Sequence, residues 1–115
     1  DMFKRMVIDE QEAGVLWLLR GCPRRWFAPG QSISVADAPT YYGLMALRTQ
    51  ATENAITIDI DPPDGEPRAE LRVVVRHPNR AAPTKVTVNG VDASIEGEVV
   101  ALRDATGPQK IVCEY

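Results

Sequence analysis

The chain has 115 residues, 16 acidic against 13 basic for a net charge of -3, and 44% of them are hydrophobic. That length suits one domain with a core of its own, and that composition excludes wholesale disorder. The acidic balance argues against a dedicated nucleic-acid binder and against polybasic membrane attachment, and no apolar run approaches the roughly 18 residues needed to span a bilayer.

Met2, Phe3, Met6 and Val7 recur at helical spacing, and the polar run Asp9-Glu10-Gln11-Glu12 follows. A stripe this short does not hold a helix in water by itself. Residues 1–12 therefore read as a linker, or as the tail of an upstream helix, that leans on a neighbour. A short helix or irregular arm is preferred over an edge strand. Residues 13–115 read as the folded domain.

Val15 to Leu19 is an unbroken apolar run, the pattern of a strand covered on both faces. The chain then passes Gly21 and Pro23 into one helical turn near residues 23–28 and leaves it at Pro29-Gly30. The turn carries Trp26 and Phe27. The indole of Trp26 is expected to plug the interior, and Trp17, within its apolar run, is expected to be core.

Gln31 to Ala36 alternates, with Ile33 and Val35 on one face, until Asp37-Ala38-Pro39-Thr40 breaks it. Tyr41 to Thr49 is the next strand. Ala55 to Ile60 sends Ile56, Ile58 and Ile60 inward and Thr57 and Asp59 outward, and Pro62-Pro63-Asp64-Gly65 ends it. Ala69 to Arg76 alternates again up to His77-Pro78-Asn79. Lys85 to Val88 meets Asn89-Gly90, a strong two-residue hairpin signal, and Val91 to Ile95 returns. Glu98 to Arg103 and Lys110 to Tyr115 complete the set. About eight strands at this spacing predict an all-β fold, an antiparallel sandwich or barrel rather than βαβ units, with the antiparallel β-sandwich preferred.

Chemistry-bearing residues are sparse. Asp59, Asp61 and Asp64 could offer oxygens to calcium, but the pattern lacks the glycine and terminal glutamate of an EF-hand loop and reads as a solvated face running into a turn. His77, the lone histidine, has no nucleophile motif beside it. Glu96 and Glu98 could form a carboxylate pair, and a solvent face explains them as well. Cys22 and Cys113 read as two small buried hydrophobes, bridged only if the last strand ends beside residue 22. No catalytic, metal or cofactor site is expected.

Taken in order, Gly21-Cys22-Pro23-Arg24-Arg25-Trp26, Ala38-Pro39-Thr40-Tyr41-Tyr42-Gly43, Arg76-His77-Pro78 and Val86-Thr87-Val88-Asn89-Gly90 form a set of turn and packing motifs. Over residues 15–115 the chain resembles the C-terminal β-sandwich domain that follows the catalytic (α/α)6 barrel in certain bacterial glycoside hydrolases and related uncharacterised proteins. The resemblance implies a non-catalytic accessory domain, because the catalytic acids of that family lie in the barrel. The implied partner is the upstream catalytic domain of the same polypeptide. The implied docking surface comprises Trp26, Phe27, Met2, Phe3 and Met6.

Two other readings are weighed beside it. A carbohydrate-binding module predicts a row of exposed aromatics on one sheet face. A general protein-interaction sandwich associates through exposed strand edges.

Overall fold

The computed structural model describes residues 7–10, 14–40, 42–63, 70–103 and 107–115. In chain order the strands are β1 (Ile8–Asp9), β2 (Val15–Leu18), β3 (Ser32–Thr40), β4 (Gly43–Ala51), β5 (Ala55–Asp61), β6 (Glu70–Val74), β7 (Lys85–Val88), β8 (Val91–Asp92), β9 (Val99–Leu102) and β10 (Gln109–Glu114). One 3-10 turn, Arg24–Phe27, lies between β2 and β3. The strands form a four-stranded sheet, ordered β1-β2-β6-β9, and a six-stranded sheet, ordered β3-β4-β5-β10-β7-β8. The fold is an all-β sandwich, as the strand spacing predicted.

The interior comes from alternation. In β5, Ile56, Ile58 and Ile60 are buried while Asp59 and Asp61 are exposed. In β4, Met45, Leu47, Thr49 and Ala51 are buried. Leu16 and Leu18 of β2, Leu71 and Val73 of β6, and Val100 and Leu102 of β9 belong to the same hydrophobic cluster. Two sheets that each hide one apolar face must stack, and packed sheets lie about 10 Å apart. The shortest dimension of the molecule, 20 Å, fits two such layers with their side chains.

Several expectations are corrected. Pairing is not wholly antiparallel, because β2 runs parallel to β6, with Leu16 opposite Leu71 and Leu18 opposite Val73. A parallel neighbour needs a long crossover, and the intervening β3, β4 and β5 supply it. Asp37 to Thr40 does not end β3. A bulge between Val35 and Ala38, with Asp37 at φ 51°, absorbs the misfit, and the strand continues to Thr40. Pro39 is tolerated because β3 is an edge strand. Within residues 1–12, Ile8 and Asp9 are an edge strand paired antiparallel with Leu18 and Trp17.

The aromatic residues also move from their expected places. Phe27, 1% exposed, fills the core, and Trp26 packs at its margin, partly buried. A 3-10 turn has about three residues per turn, so neighbours point well apart and only one of the two can face inward. Trp17 is half-buried on the outer side of β2, because alternation gives the inner side to Leu16 and Leu18. Cys22 and Cys113 are both buried and both free. Burial pushes each thiol from its ordinary 9.0 up to about 11.

Candidate functional site

Most of the motif residues at one end of the sandwich hold loops together. Arg24 donates from Nη1 and Nη2 to the two carboxylate oxygens of Glu98, at 2.6 and 2.7 Å, and from Nη1 to the carbonyl of His77 at 3.0 Å. The paired carboxylate holds the Arg24 guanidinium above its ordinary pKa. Arg76 donates to the carbonyl of Arg20 at 2.7 Å and lies 3.9 Å from Glu98. The ring of His77 accepts at Nδ1 from the N–H groups of Asn79 and Ala81, at 3.0 and 3.3 Å, and packs 4.3 Å from Tyr115. One nitrogen of the lone histidine is thus committed to shaping a turn. Burial and the neighbouring Cys113 push the Tyr115 hydroxyl above its usual range.

Glu96 and Glu98 are therefore engaged differently. Both oxygens of Glu98 are held by Arg24, while Glu96 is exposed beside an isolated bridge to Val99. Asp59 and Asp61 share the outer face of β5, and Asp64 lies outside the described residues. Among the described residues, no three His, Cys, Asp or Glu side chains are grouped to hold a metal ion.

Of the expected docking residues, Met2, Phe3 and Met6 lie outside the described residues. The side chain of Phe27 is directed into the core. Trp26 stays partly exposed and borders a hollow of about 220 Å³ with Gln31, Ser32, Ile33 and Ser34, beside the edge strand β3.

A second aromatic surface is absent from the sequence reading. On the outer face of the four-stranded sheet, the Trp17 ring lies 4.6 Å from the Arg20 guanidinium and 5.2 Å from that of Arg72. Its indole Nε1 is buried without a hydrogen-bond partner. Beside it, Glu70 accepts from Arg72 and, at 2.8 Å, from Arg103. These two arginines hold the Glu70 carboxyl below the usual carboxylate range. The signal was present in the sequence as period-two alternation, which sets Trp17 opposite to Leu16 and Leu18, but the surrounding apolar run hid it.

The outer face of the six-stranded sheet carries a shallow hollow of about 520 Å³, lined among others by Ser34, Arg48, Asp59, Asp61, Asn89 and Lys110. Among the described residues, its outward positions hold no aromatic side chain. The row of aromatics expected of a stacking platform is not found on this face.

No family model matches the sequence, and no curated relative does. Among solved structures, the fold is similar to the α-L-rhamnosidase from Dictyoglumus thermophilum, with a TM-score of 0.56 and 12% identity. The match covers 98% of this chain and 13% of that one. A sandwich related in fold to this chain thus lies within a much longer glycoside hydrolase. At 12% identity the likeness is one of fold and transfers no residue.

Proposed function

We propose that the chain is a non-catalytic accessory β-sandwich domain of a bacterial glycoside hydrolase, packed against the catalytic barrel and supporting it. The observation that carries this reading is the match of nearly the whole chain, 98%, to a small part, 13%, of a solved glycoside hydrolase. The use of Arg24, Arg76, His77 and Glu98 in loop bracing supports it, since these polar residues are engaged in structural contacts. The docking surface in this reading is the exposed part of Trp26 beside β3, together with the segment carrying Met2, Phe3 and Met6.

The test compares Trp26→Ala in two settings: the chain alone, and the chain within the polypeptide that carries the catalytic region. The substitution should lower the melting temperature of the catalytic region by more than it lowers that of the isolated domain. An equal shift in both would overturn the docking surface. Hydrolysis of an aryl α-L-rhamnoside by the isolated chain, at a rate proportional to its concentration, would overturn the non-catalytic role.

A further inference from the structure

Apart from Ser34, which also borders the Trp26 hollow, the outer face of the six-stranded sheet has no part in the bracing network or in the proposed docking surface. Strand register places Ser34 opposite Arg48, Arg48 opposite Asp59, and Asp59 opposite Lys110. Asn89 continues the row, since its Oδ1 accepts from the Lys110 N–H at 2.8 Å. Neighbouring strands lie about 4.8 Å apart, so the row extends for roughly 20 Å across the sheet. Asp61 stands one step along β5, opposite Ala46. The alanines at 36 and 46 keep part of the hollow shallow-walled and open.

Two features of this row stand out physically. Opposite charges facing each other across strands commonly pair. Yet among the described residues, the side chains of Arg48, Asp59, Asp61 and Lys110 form no ion pair or side-chain hydrogen bond, and all four are exposed. Their donors and acceptors are open to whatever enters the hollow. One wall, in contrast, is fixed: Asn89 Nδ2 donates to Gln109 Oε1 at 2.9 Å, and Gln109 Nε2 donates to the Gly107 carbonyl at 3.2 Å.

The chemistry of the row narrows the ligand. A protein partner would need large apolar anchors near the centre of the contact, and the row contains none. A polyanion would need excess positive charge, whereas Arg48 and Lys110 are balanced by Asp59 and Asp61. A chain of neutral rings bearing adjacent hydroxyls meets both requirements of the site. It presents donors to the carboxylates and acceptors to the guanidinium and ammonium, with no net charge to neutralise.

We propose that this face is a groove for an uncharged, extended oligosaccharide lying across the strands along Ser34, Arg48, Asp59 and Lys110 and held by hydrogen bonds alone, since among the described residues the face offers no aromatic ring for a sugar to stack on. Asp59 and Asp61 accept hydrogen bonds from its hydroxyls, and Arg48 and Lys110 donate to them. The inference does not depend on attachment to an enzyme, and its test uses this chain alone, so its failure leaves the accessory role standing.

The experiment titrates the chain separately with cellohexaose, xylohexaose and mannohexaose at millimolar concentration, read by two-dimensional amide spectra. At least one should give saturable shifts centred on Ser34, Arg48, Asp59, Asp61 and Lys110. Asp59→Asn, which removes a charged acceptor at an exposed site, should weaken that binding about tenfold with an unchanged melting temperature. Asp92→Asn, on β8 and outside the hollow, should leave binding unchanged. The proposal is overturned if none of the three sugars gives saturable shifts, if the shifts centre on Trp17 or Trp26, or if only a charged hexamer such as oligogalacturonate binds.

Discussion

Trp26 and Phe27 are adjacent, similar in bulk and carried on the same short turn, yet they have opposite fates. Phe27 is 1% exposed and belongs to the buried apolar cluster, while Trp26 borders it. Truncating a fully buried phenylalanine removes its transfer energy and leaves a cavity, about 3–5 kcal/mol in all. Phe27→Ala is therefore expected to cost that much in urea unfolding, and Trp26→Ala less than half as much. Equal costs would show that the indole holds the turn to the sheets as much as the phenyl ring does. The sequence could place the pair on one turn. It could not choose between them, because the choice depends on where the turn starts relative to the sheet.

The two thiols make a second residue-scale argument. Each has a folded-state pKa near 11 against an ordinary 9.0, from burial. A raised acid pKa means that the folded chain keeps a proton which the unfolded chain releases. Between pH 9.0 and about 11 the unfolded state binds fewer protons, so stability falls as pH rises. Below pH 9.0 both states are protonated and the contribution is fully present. Replacing both cysteines with alanine should flatten the decline over that window in a series of urea melts. A double variant with the same slope as the parent would place the titration elsewhere.

At the scale of the element, legibility followed pattern strength. Residues 55–60 and the hairpin turn at Asn89-Gly90 were readable, because strict alternation and Asn-Gly each have one good structural solution, whereas the returning strand, expected to reach Ile95, ends at Asp92. Asn89 and Gly90 adopt φ of 53° and 82°, and Val88 faces Val91 directly. The continuation of β3 was not readable. A run containing Asp and Pro normally ends a strand, and only the bulge beside an open edge rescues it. The parallel pairing of β2 with β6 was also hidden, since no local signal records which distant strand a buried run will join. The hairpin gives the prediction at this scale. Asn89 fits the left-handed turn, and its side chain accepts from Lys110 and donates to Gln109. Asn89→Ala should speed amide exchange at Lys110 and Val91 while leaving that of Ile58, in the middle of the sheet, unchanged. Uniform acceleration along all six strands would mean that the turn sets global stability.

At the scale of the molecule, the question is how a sandwich with open sheets stays apart from its copies. Among the described residues, three of the four edge strands are short: β1 and β8 have two residues and β9 has four. The fourth, β3, has nine residues and is the natural template for a second chain. It is interrupted where a template would have to be flat. The bulge at Val35 to Ala38 twists it, and Pro39 has no N–H to offer. These devices predict a monomer in sedimentation over a wide concentration range. Deleting Asp37 and replacing Pro39 with valine would straighten the edge and restore a donor, and that variant should sediment as a concentration-dependent dimer or larger species. If it stays monomeric, the edge is protected by something other than its bulge and its proline, and the indole of Trp26 beside Ser32 to Ser34 is the next group to remove.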